Sequence, residues 1–182
     1  IFFLISCMFF YFLKVASQSL NTPHYQFKKI TTDDGLSSNE INCVYKDSRG
    51  FLWIGADRGP QRFNGSNFLS FRHLNVDSAS ISNEDIFAIT EDRAHDIWFN
   101  SRDGVTKFNY QNGKLTNYRY GYKDGKAKQL GLVLSFFEDS KGRFWLGTVS
   151  AGLFLFDKEK QQFIHVDPAG YLGIKSGVFD FV

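Results

Sequence analysis

Residues 47–55 read Asp-Ser-Arg-Gly-Phe-Leu-Trp-Ile-Gly, and residues 139–147 read Asp-Ser-Lys-Gly-Arg-Phe-Trp-Leu-Gly. Between them, residues 92–100 read Asp-Arg-Ala-His-Asp-Ile-Trp-Phe-Asn. The Asp that opens each copy lies six residues before the Trp, and the copies recur 45 and 47 positions apart. An internal repeat of this length predicts an architecture built from one supersecondary unit used several times.

Each copy belongs to a unit of four short apolar segments separated by turn residues. In the first unit these segments are 41–45, 51–55, 59–63 and 68–71, which are too short for helices and suit strands. Asp can open a turn by accepting backbone N–H groups, and Gly at the fourth position tolerates a positive φ. His95 takes the Gly place in the second unit, and His is among the few other residues enriched there.

Antiparallel units of four strands and about 45 residues are typical of β-propeller blades. We therefore predict an all-β fold, a propeller fragment of three blades plus the first strand of a fourth. Since three blades and a fraction do not close a ring, the chain is expected to be part of a longer protein. The expected boundaries are a lead-in strand at 18–35, blades at 36–72, 82–119 and 130–166, and the start of a fourth blade at 174–182.

The first residues form a separate segment. Residues 1–13 are apolar apart from Ser6, and Lys14 is the first charge. This run suits the apolar part of a secretory signal peptide and is short for a membrane-spanning helix, which needs about 20 residues. We predict a helical signal peptide at 1–17 whose basic start is missing, with an uncleaved membrane anchor as the alternative.

Composition excludes several classes of function. The 21 Lys and Arg against 19 Asp and Glu leave a net charge of +2, which argues against a nucleic-acid binder. The four His residues lack metal-ligand spacing, and no phosphate-binding loop or nucleophile motif occurs. We therefore expect no metal, no cofactor and no catalysis.

Once the leader is removed, Cys43 is the one remaining cysteine, and we expect it to be a small buried apolar residue.

The repeat resembles a known family. Ser38-Asn39-Glu40-Ile41, followed by residues 44–55, Gly59 and Phe63, is similar to the two-component regulator propeller repeat. The other two units resemble it too, and the departures in the second unit are His95 and Asn100, which replace Gly. The resemblance implies the periplasmic sensor region of a hybrid two-component histidine kinase receptor. It also implies an oligosaccharide ligand, a homodimer, and further blades, a membrane helix and a kinase beyond Val182.

Two sets of residues are singled out. The repeat positions expected to be structural are Asp47, Trp53, Asp92, Trp98, Asp139 and Trp145, with the Trp side chains packed between adjacent blades rather than forming a carbohydrate platform. Loops between the second and third strands should share a face with loops linking successive blades, and loops carry function in such folds. The candidate ligand residues there are Asp57, Arg58, Arg102, Asp103, Tyr120, Tyr122 and Ser150, through hydrogen bonds to sugar hydroxyls and stacking on sugar rings.

Other interpretations stay open at this point. The candidate ligand residues can equally be solvated turn residues. A propeller can also serve as a protein-binding scaffold without a small ligand. A carbohydrate-active enzyme fragment is the third alternative, although sialidase-type propellers normally separate their Asp and Trp by five residues, whereas the interval here is six.

Overall fold

The computed structural model describes residues 26–74 and 80–167, and its secondary structure is almost entirely β. The segment expected to be a signal or anchor at 1–17 and the strand expected at 174–182 lie outside the described residues. Within the described ranges, no helix is long and apolar enough to cross a membrane. The described strands form three sheets, one for each copy of the repeat, and neighbouring sheets pack against each other.

The first two sheets are four-stranded antiparallel meanders, in which hydrogen bonds follow sequence order. Short turns allow this order because antiparallel neighbours need no long crossover. The first sheet contains β1 (Ile41–Lys46), β2 (Leu52–Ala56), β3 (Gln61–Phe63) and β4 (Phe68–Ser70). The second contains β5 (Ile86–Glu91), β6 (Ile97–Ser101), β7 (Gly104–Phe108) and β8 (Leu115–Tyr118).

The third sheet has six strands because a hairpin joins its outer edge. The hairpin consists of β9 (Tyr120–Lys123) and β10 (Lys126–Gln129), and the repeat itself supplies β11 (Val133–Glu138), β12 (Phe144–Thr148), β13 (Leu153–Asp157) and β14 (Gln162–Val166). Strand β9 pairs in parallel with β14, so the sheet order is β10-β9-β14-β13-β12-β11. These three sheets are blades of a β-propeller, as the repeat predicted.

The hairpin corrects one expectation, since the sequence predicts a loop between the second and third blades at Gly121–Gln129. Asp124 and Gly125 form its turn with φ values of 50° and 74°. Two positive φ values are characteristic of the tight hairpin turn whose right-handed twist matches the flanking strands, and Asp-Gly is a preferred sequence for it. Tyr120 and Tyr122 therefore lie on a strand and not on a loop.

A second correction concerns the lead-in strand expected at 18–35. The described residues 26–35 contain no strand, and Thr32–Asp34 forms a short 3-10 helix instead. A capping box favours the helical turn, since the Thr31 side chain accepts the Asp33 N–H while the Asp34 carboxylate accepts the Thr31 N–H. Gly35 then ends the turn at a φ of 103°, a conformation that favours glycine.

Aromatic side chains fill the space between blades. Trp53 is fully buried, and its ring centroid lies 5.4 Å from that of Phe99 and 5.7 Å from that of Phe108, both in the second blade. Trp98 is 1% exposed, and its ring lies 4.8 Å from Phe144 of the third blade. The predicted packing of Trp between blades is thus observed at both of these seams, where each ring gains contact area and favourable ring geometry.

A β-bulge recurs at one place in every blade. The pairing of the first two strands shifts register after Ile41, after Ile86 and after Val133. Just beyond the bulge of the first blade, Gly55 lies opposite Cys43, and a Cβ on Gly55 would come within 2.5 Å of the Cys43 sulfur. The second blade has Asn100 at the position of Gly55 and the smaller Ala88 opposite it, which makes room for the larger side chain.

Candidate functional site

Asp47 links the first turn of the first blade to the indole of Trp53 through hydrogen bonds. One carboxylate oxygen, Oδ1, accepts the backbone N–H groups of Arg49 and Phe51 at 3.0 and 2.9 Å. The other, Oδ2, accepts the Trp53 indole N–H at 2.8 Å. A charged acceptor makes stronger hydrogen bonds than a neutral one, so this single side chain fixes both the turn and the ring.

The same arrangement recurs in the other two blades. Asp92 accepts the Trp98 indole N–H at 2.8 Å, and Asp139 accepts the Trp145 indole N–H at 3.1 Å. Each Asp also accepts the two turn N–H groups that correspond to those bonded by Asp47. The constant six-residue interval is therefore a hydrogen-bonded unit, and the repeat Asp residues are fully engaged in holding the blades.

Asp47 is almost completely buried, at 4% exposed, and two opposing effects set the pKa of its carboxyl group. Burial disfavours the charged form, but hydrogen bonds from Tyr110, Trp53, Phe51 and Arg49 outweigh burial and lower its pKa below the ordinary value. The Tyr110 hydroxyl that donates to Asp47 comes from the neighbouring blade. Burial, followed by this hydrogen bond to the carboxylate, raises the pKa of Tyr110 to about 12.

A second repeated contact, which we call the clasp, joins the first turn of one blade to the first strand of the next. The Ser48 N–H donates to Glu91 Oε2 at 2.8 Å, and the equivalent Arg93 N–H donates to Glu138 Oε2 at 2.9 Å. Both Glu residues directly precede the repeat Asp. Sequence reasoning missed the clasp, although the Glu-Asp pair in two of the three copies is its signal.

At the first clasp the side chains of Ser48, Glu91 and His95 meet, which are the residue types of a hydrolytic triad. The His95 Nδ1 lies 2.8 Å from Glu91 Oε1 and 3.0 Å from the Ser48 hydroxyl, so one ring nitrogen serves both partners. A triad needs the nucleophile and the carboxylate on opposite nitrogens of the ring. The cluster therefore lacks the arrangement of a hydrolytic triad. His95 has a φ of 63°, which explains why this turn position otherwise holds Gly.

The predicted ligand residues of the second blade already have partners. Both the Nε and Nη2 groups of Arg102 donate to Asp85 Oδ2, at 3.1 and 2.8 Å. The Asp103 carboxylate accepts the Asn83 side-chain amide at 3.0 Å. The expected pairing of Arg102 with a ligand would therefore compete with an exposed ion pair, which is worth at most about 1 kcal/mol.

The first and third blades contribute more open residues. Asp57 and Arg58 are exposed, and their side chains make no hydrogen bond to the described residues. Ser150 is exposed in the corresponding turn of the third blade. Tyr120 is 54% exposed on β9, and Tyr122 is half-buried opposite Ala127 of β10. No contact within the described ranges gathers these residues into one pocket.

Two concave surfaces lie at the opposite end of the blades, where the first and second strands of each blade are joined. A cleft of about 350 Å³ opens among Tyr45, Thr90, Arg93, Phe137 and their neighbours from all three blades. A smaller cavity of about 140 Å³ lies between the second and third blades, beside Lys107. Across residues 26–74 and 80–167, no three His, Cys, Asp or Glu side chains come together as a metal site would require.

Comparison with known proteins agrees with the repeat. A family model for the two-component regulator propeller matches residues 35–58 and 130–150. A curated relative named histidine kinase P4, from Formosa agariphila, is 35% identical over 77 residues, which span 42% of this chain and 6% of that protein.

Solved structures share the fold. The extracellular domain of the hybrid two-component system BT3049 from B. thetaiotaomicron superposes with a TM-score of 0.71 at 21% identity, over 84% of this chain and 22% of that one. The corresponding domain of BT4673 from the same organism gives a TM-score of 0.63 at 22% identity, over 75% and 19% of the two chains. This chain therefore spans about a fifth of the solved domains that it matches. Two segments of the chain therefore match the two-component regulator propeller repeat, and the Asp–Trp unit of those segments recurs in the second blade.

Proposed function

We propose that this chain is part of the periplasmic ligand-sensing propeller of a two-component signalling receptor, and that it responds to oligosaccharides. The observation that carries the proposal is the propeller repeat itself, matched in the first and third blades and present as the same hydrogen-bonded unit in all three. The names of the similar proteins support the same role, because they describe extracellular domains of hybrid two-component systems and a histidine kinase.

The proposed role is recognition and not catalysis. The repeat carboxylates are committed to turns, indoles and clasps, and the Ser48–Glu91–His95 cluster lacks the geometry of a triad. In this proposal the intact receptor is a homodimer whose sensor region lies outside the inner membrane. Ligand binding would act by favouring one arrangement of the receptor over another. Light scattering on the purified intact protein tests the dimer directly.

A signalling assay tests the function. Cells that carry the intact receptor and a reporter of its regulated promoter are grown on purified oligosaccharides of different composition. We expect one class to induce the reporter, and deletion of the receptor to abolish that induction. If induction persists unchanged in the deletion strain for every oligosaccharide that induces, the proposed function is wrong.

The loop-face residues remain a prediction from sequence. The double substitution Arg58→Ala and Arg102→Ala removes the two arginines among the candidate ligand residues, and neither is buried in the described structure. If the loop face binds the ligand, the double variant loses induction while its melting temperature stays within about 2 °C of the parent protein. Unchanged induction would remove these residues from the binding site.

A further inference from the structure

Tyr110 of the second blade lies in the contact between the first two blades, which we call the first seam. Its ring is edge-on to Trp53, with 6.1 Å between the ring centroids, and to Phe108, with 5.1 Å. Its hydroxyl donates to Asp47 Oδ2, the oxygen that also accepts the Trp53 indole N–H. The Arg49 guanidinium lies over the ring, 3.9 Å from its centroid. The first seam thus holds a phenol by two rings, one carboxylate and one cation.

Lys158 takes the position of Tyr110 in the third blade. The turn after the third strand has the same form in both blades, since Asn109 Oδ1 accepts the N–H groups two and three residues ahead, and Asp157 Oδ1 does the same. Tyr110 and Lys158 each directly follow that turn residue. The Lys158 side chain is 64% exposed, and its ammonium group lies 4.0 Å from Glu138. It therefore supplies no ring to the contact between the second and third blades, which we call the second seam.

The cavity of about 140 Å³ lies in the second seam, at the place that this ring takes in the first. Five side chains lie around Tyr110, namely the four given above and Arg62, whose guanidinium is 5.8 Å from the ring centroid. The residues at the equivalent positions all line the cavity, and Lys158 lines it with them: Asp92, Ala94, Trp98, Lys107 and Phe156. Lys107 corresponds to Arg62 because each pairs across its hairpin with the repeat Trp.

A second difference between the seams opens the cavity further. Ala94 stands where the first seam has Arg49, so a methyl group replaces the guanidinium that lies over Tyr110. Ala94 is exposed, so a small molecule reaches the cavity from solvent. The volume suits one ring, because an apolar protein cavity of about 150 Å³ binds benzene.

The carboxylate in the cavity can accept one more hydrogen bond. Asp92 Oδ2 accepts the Trp98 indole N–H at 2.8 Å, and in the described part of the chain no other hydrogen bond reaches this oxygen. The Lys107 ammonium is 3.9 Å away, beyond hydrogen-bond distance, and lies 2.8 Å from Asp96 instead. The Asp92 side chain is only 11% exposed, so a further donor stabilises it. A phenolic hydroxyl placed like that of Tyr110 is such a donor.

From this equivalence we propose that the cavity of the second seam binds a small neutral phenol, in the place that Tyr110 takes in the first seam. The phenol ring packs against Trp98 and Phe156, and its hydroxyl donates to Asp92 Oδ2. A ring with a carboxylate in place of the hydroxyl would set one anion against another, and a ring without a donor would cover the Asp92 oxygen without bonding to it. Both should bind more weakly. This site goes beyond the sensing of oligosaccharides proposed above and does not depend on it.

Saturation-transfer NMR on the intact protein tests the site with p-cresol, which has the ring and the hydroxyl of a tyrosine side chain. We expect saturation transfer to p-cresol. For its methyl ether and for p-toluate we expect binding weaker by about tenfold or more, because the hydrogen bond to a charged acceptor is lost. Absence of transfer to p-cresol at millimolar concentration, or equal binding of the methyl ether, overturns the proposal.

Lys158→Tyr supplies the ring from the chain itself, as Tyr110 does in the first seam. We expect this variant to lose p-cresol binding and to melt at a higher temperature, since the new ring removes apolar surface from water. Glu159→Tyr is the matched control, because it adds the same residue one position on, at an exposed side chain that does not line the cavity. It should bind p-cresol like the parent protein.

Equal binding of p-cresol by Lys158→Tyr and by the parent protein overturns the proposal, since the ligand then lies elsewhere. Loss of binding in Glu159→Tyr as well as in Lys158→Tyr overturns it too, because the effect is then not specific to the cavity. None of these measurements uses signalling, so their failure leaves the proposed function to the reporter assay.

Discussion

Replacing Asp47 by Asn tests the idea that one carboxylate holds both the turn and the tryptophan of a blade. The amide keeps an oxygen for the Arg49 and Phe51 N–H groups, but its NH2 group then takes the place of Oδ2. There it faces the Trp53 indole N–H, a donor against a donor. Turning the amide over is worse, because the NH2 group would then face two backbone N–H groups.

The expected cost follows from these contacts. A hydrogen bond to a charged group contributes about 1.5–3 kcal/mol, and a buried donor left without a partner costs about 1–3 kcal/mol. Trp53 is fully buried, so water cannot replace the lost acceptor. We expect the free energy of unfolding to fall by about 3 kcal/mol. For a chain of this size, that corresponds to a melting temperature lower by roughly 6–12 °C.

The pH dependence provides a second signature. The folded-state pKa of Asp47 is lowered, so its carboxylate stabilises the fold above the ordinary value of 3.8, and this contribution is lost as the pH falls through the lower folded pKa. The gap in melting temperature between the parent protein and Asp47→Asn should be constant near neutral pH and should narrow below pH 3.8. Differential scanning calorimetry across this range measures both quantities.

Asp57→Asn is the matched control, since Asp57 is exposed and its side chain has no hydrogen bond within the described residues. It should change the melting temperature by about 1 °C or less. A double-mutant cycle with Trp53→Phe isolates the carboxylate–indole pair, for which we expect a coupling of about 1–2 kcal/mol. Equal losses for Asp47→Asn and Asp57→Asn, or a coupling near zero, would refute the reasoning.

Three further predictions concern the seam between blades. Gly55→Ala places a Cβ 2.5 Å from the Cys43 sulfur and 2.8 Å from Ile86 Cγ2. Thermal unfolding should show that the free energy of unfolding falls by about 1–3 kcal/mol and that adding Cys43→Ala restores part of it. No restoration by the second substitution would contradict the packing. The Asn100 side-chain amide is buried without a partner in the described structure, so Asn100→Leu should raise the melting temperature in the same assay, and a decrease would show that the amide is satisfied. Partial burial raises the pKa of the Cys43 thiol to about 11, so a disulfide reagent at pH 8 should modify the native protein much more slowly than the unfolded protein. Equal rates for the two states would contradict this burial.

The blades were predictable because their defining interactions are local in the chain. The bonds from Asp47 reach two, four and six residues ahead, so turn, second strand and indole follow from one short stretch. The same short stretch, repeated with Asp92 and Asp139, sufficed for the blade fold. The tight turn of the hairpin at Asp124-Gly125 was equally local, and its dipeptide signal was overlooked.

Contacts between blades could not be read in the same way. The clasp joins Ser48 to Glu91 across 43 positions, and one cleft is lined by both Tyr45 and Phe137. The angle at which two neighbouring sheets pack results from the contacts of all their buried rings together. Neither the separation of two residues in the sequence nor their residue types specifies this angle. The repeated sequence therefore determines the fold of each blade, while the packing of the blades against one another decides which side chains of different blades meet, as Ser48 and Glu91 do at the clasp.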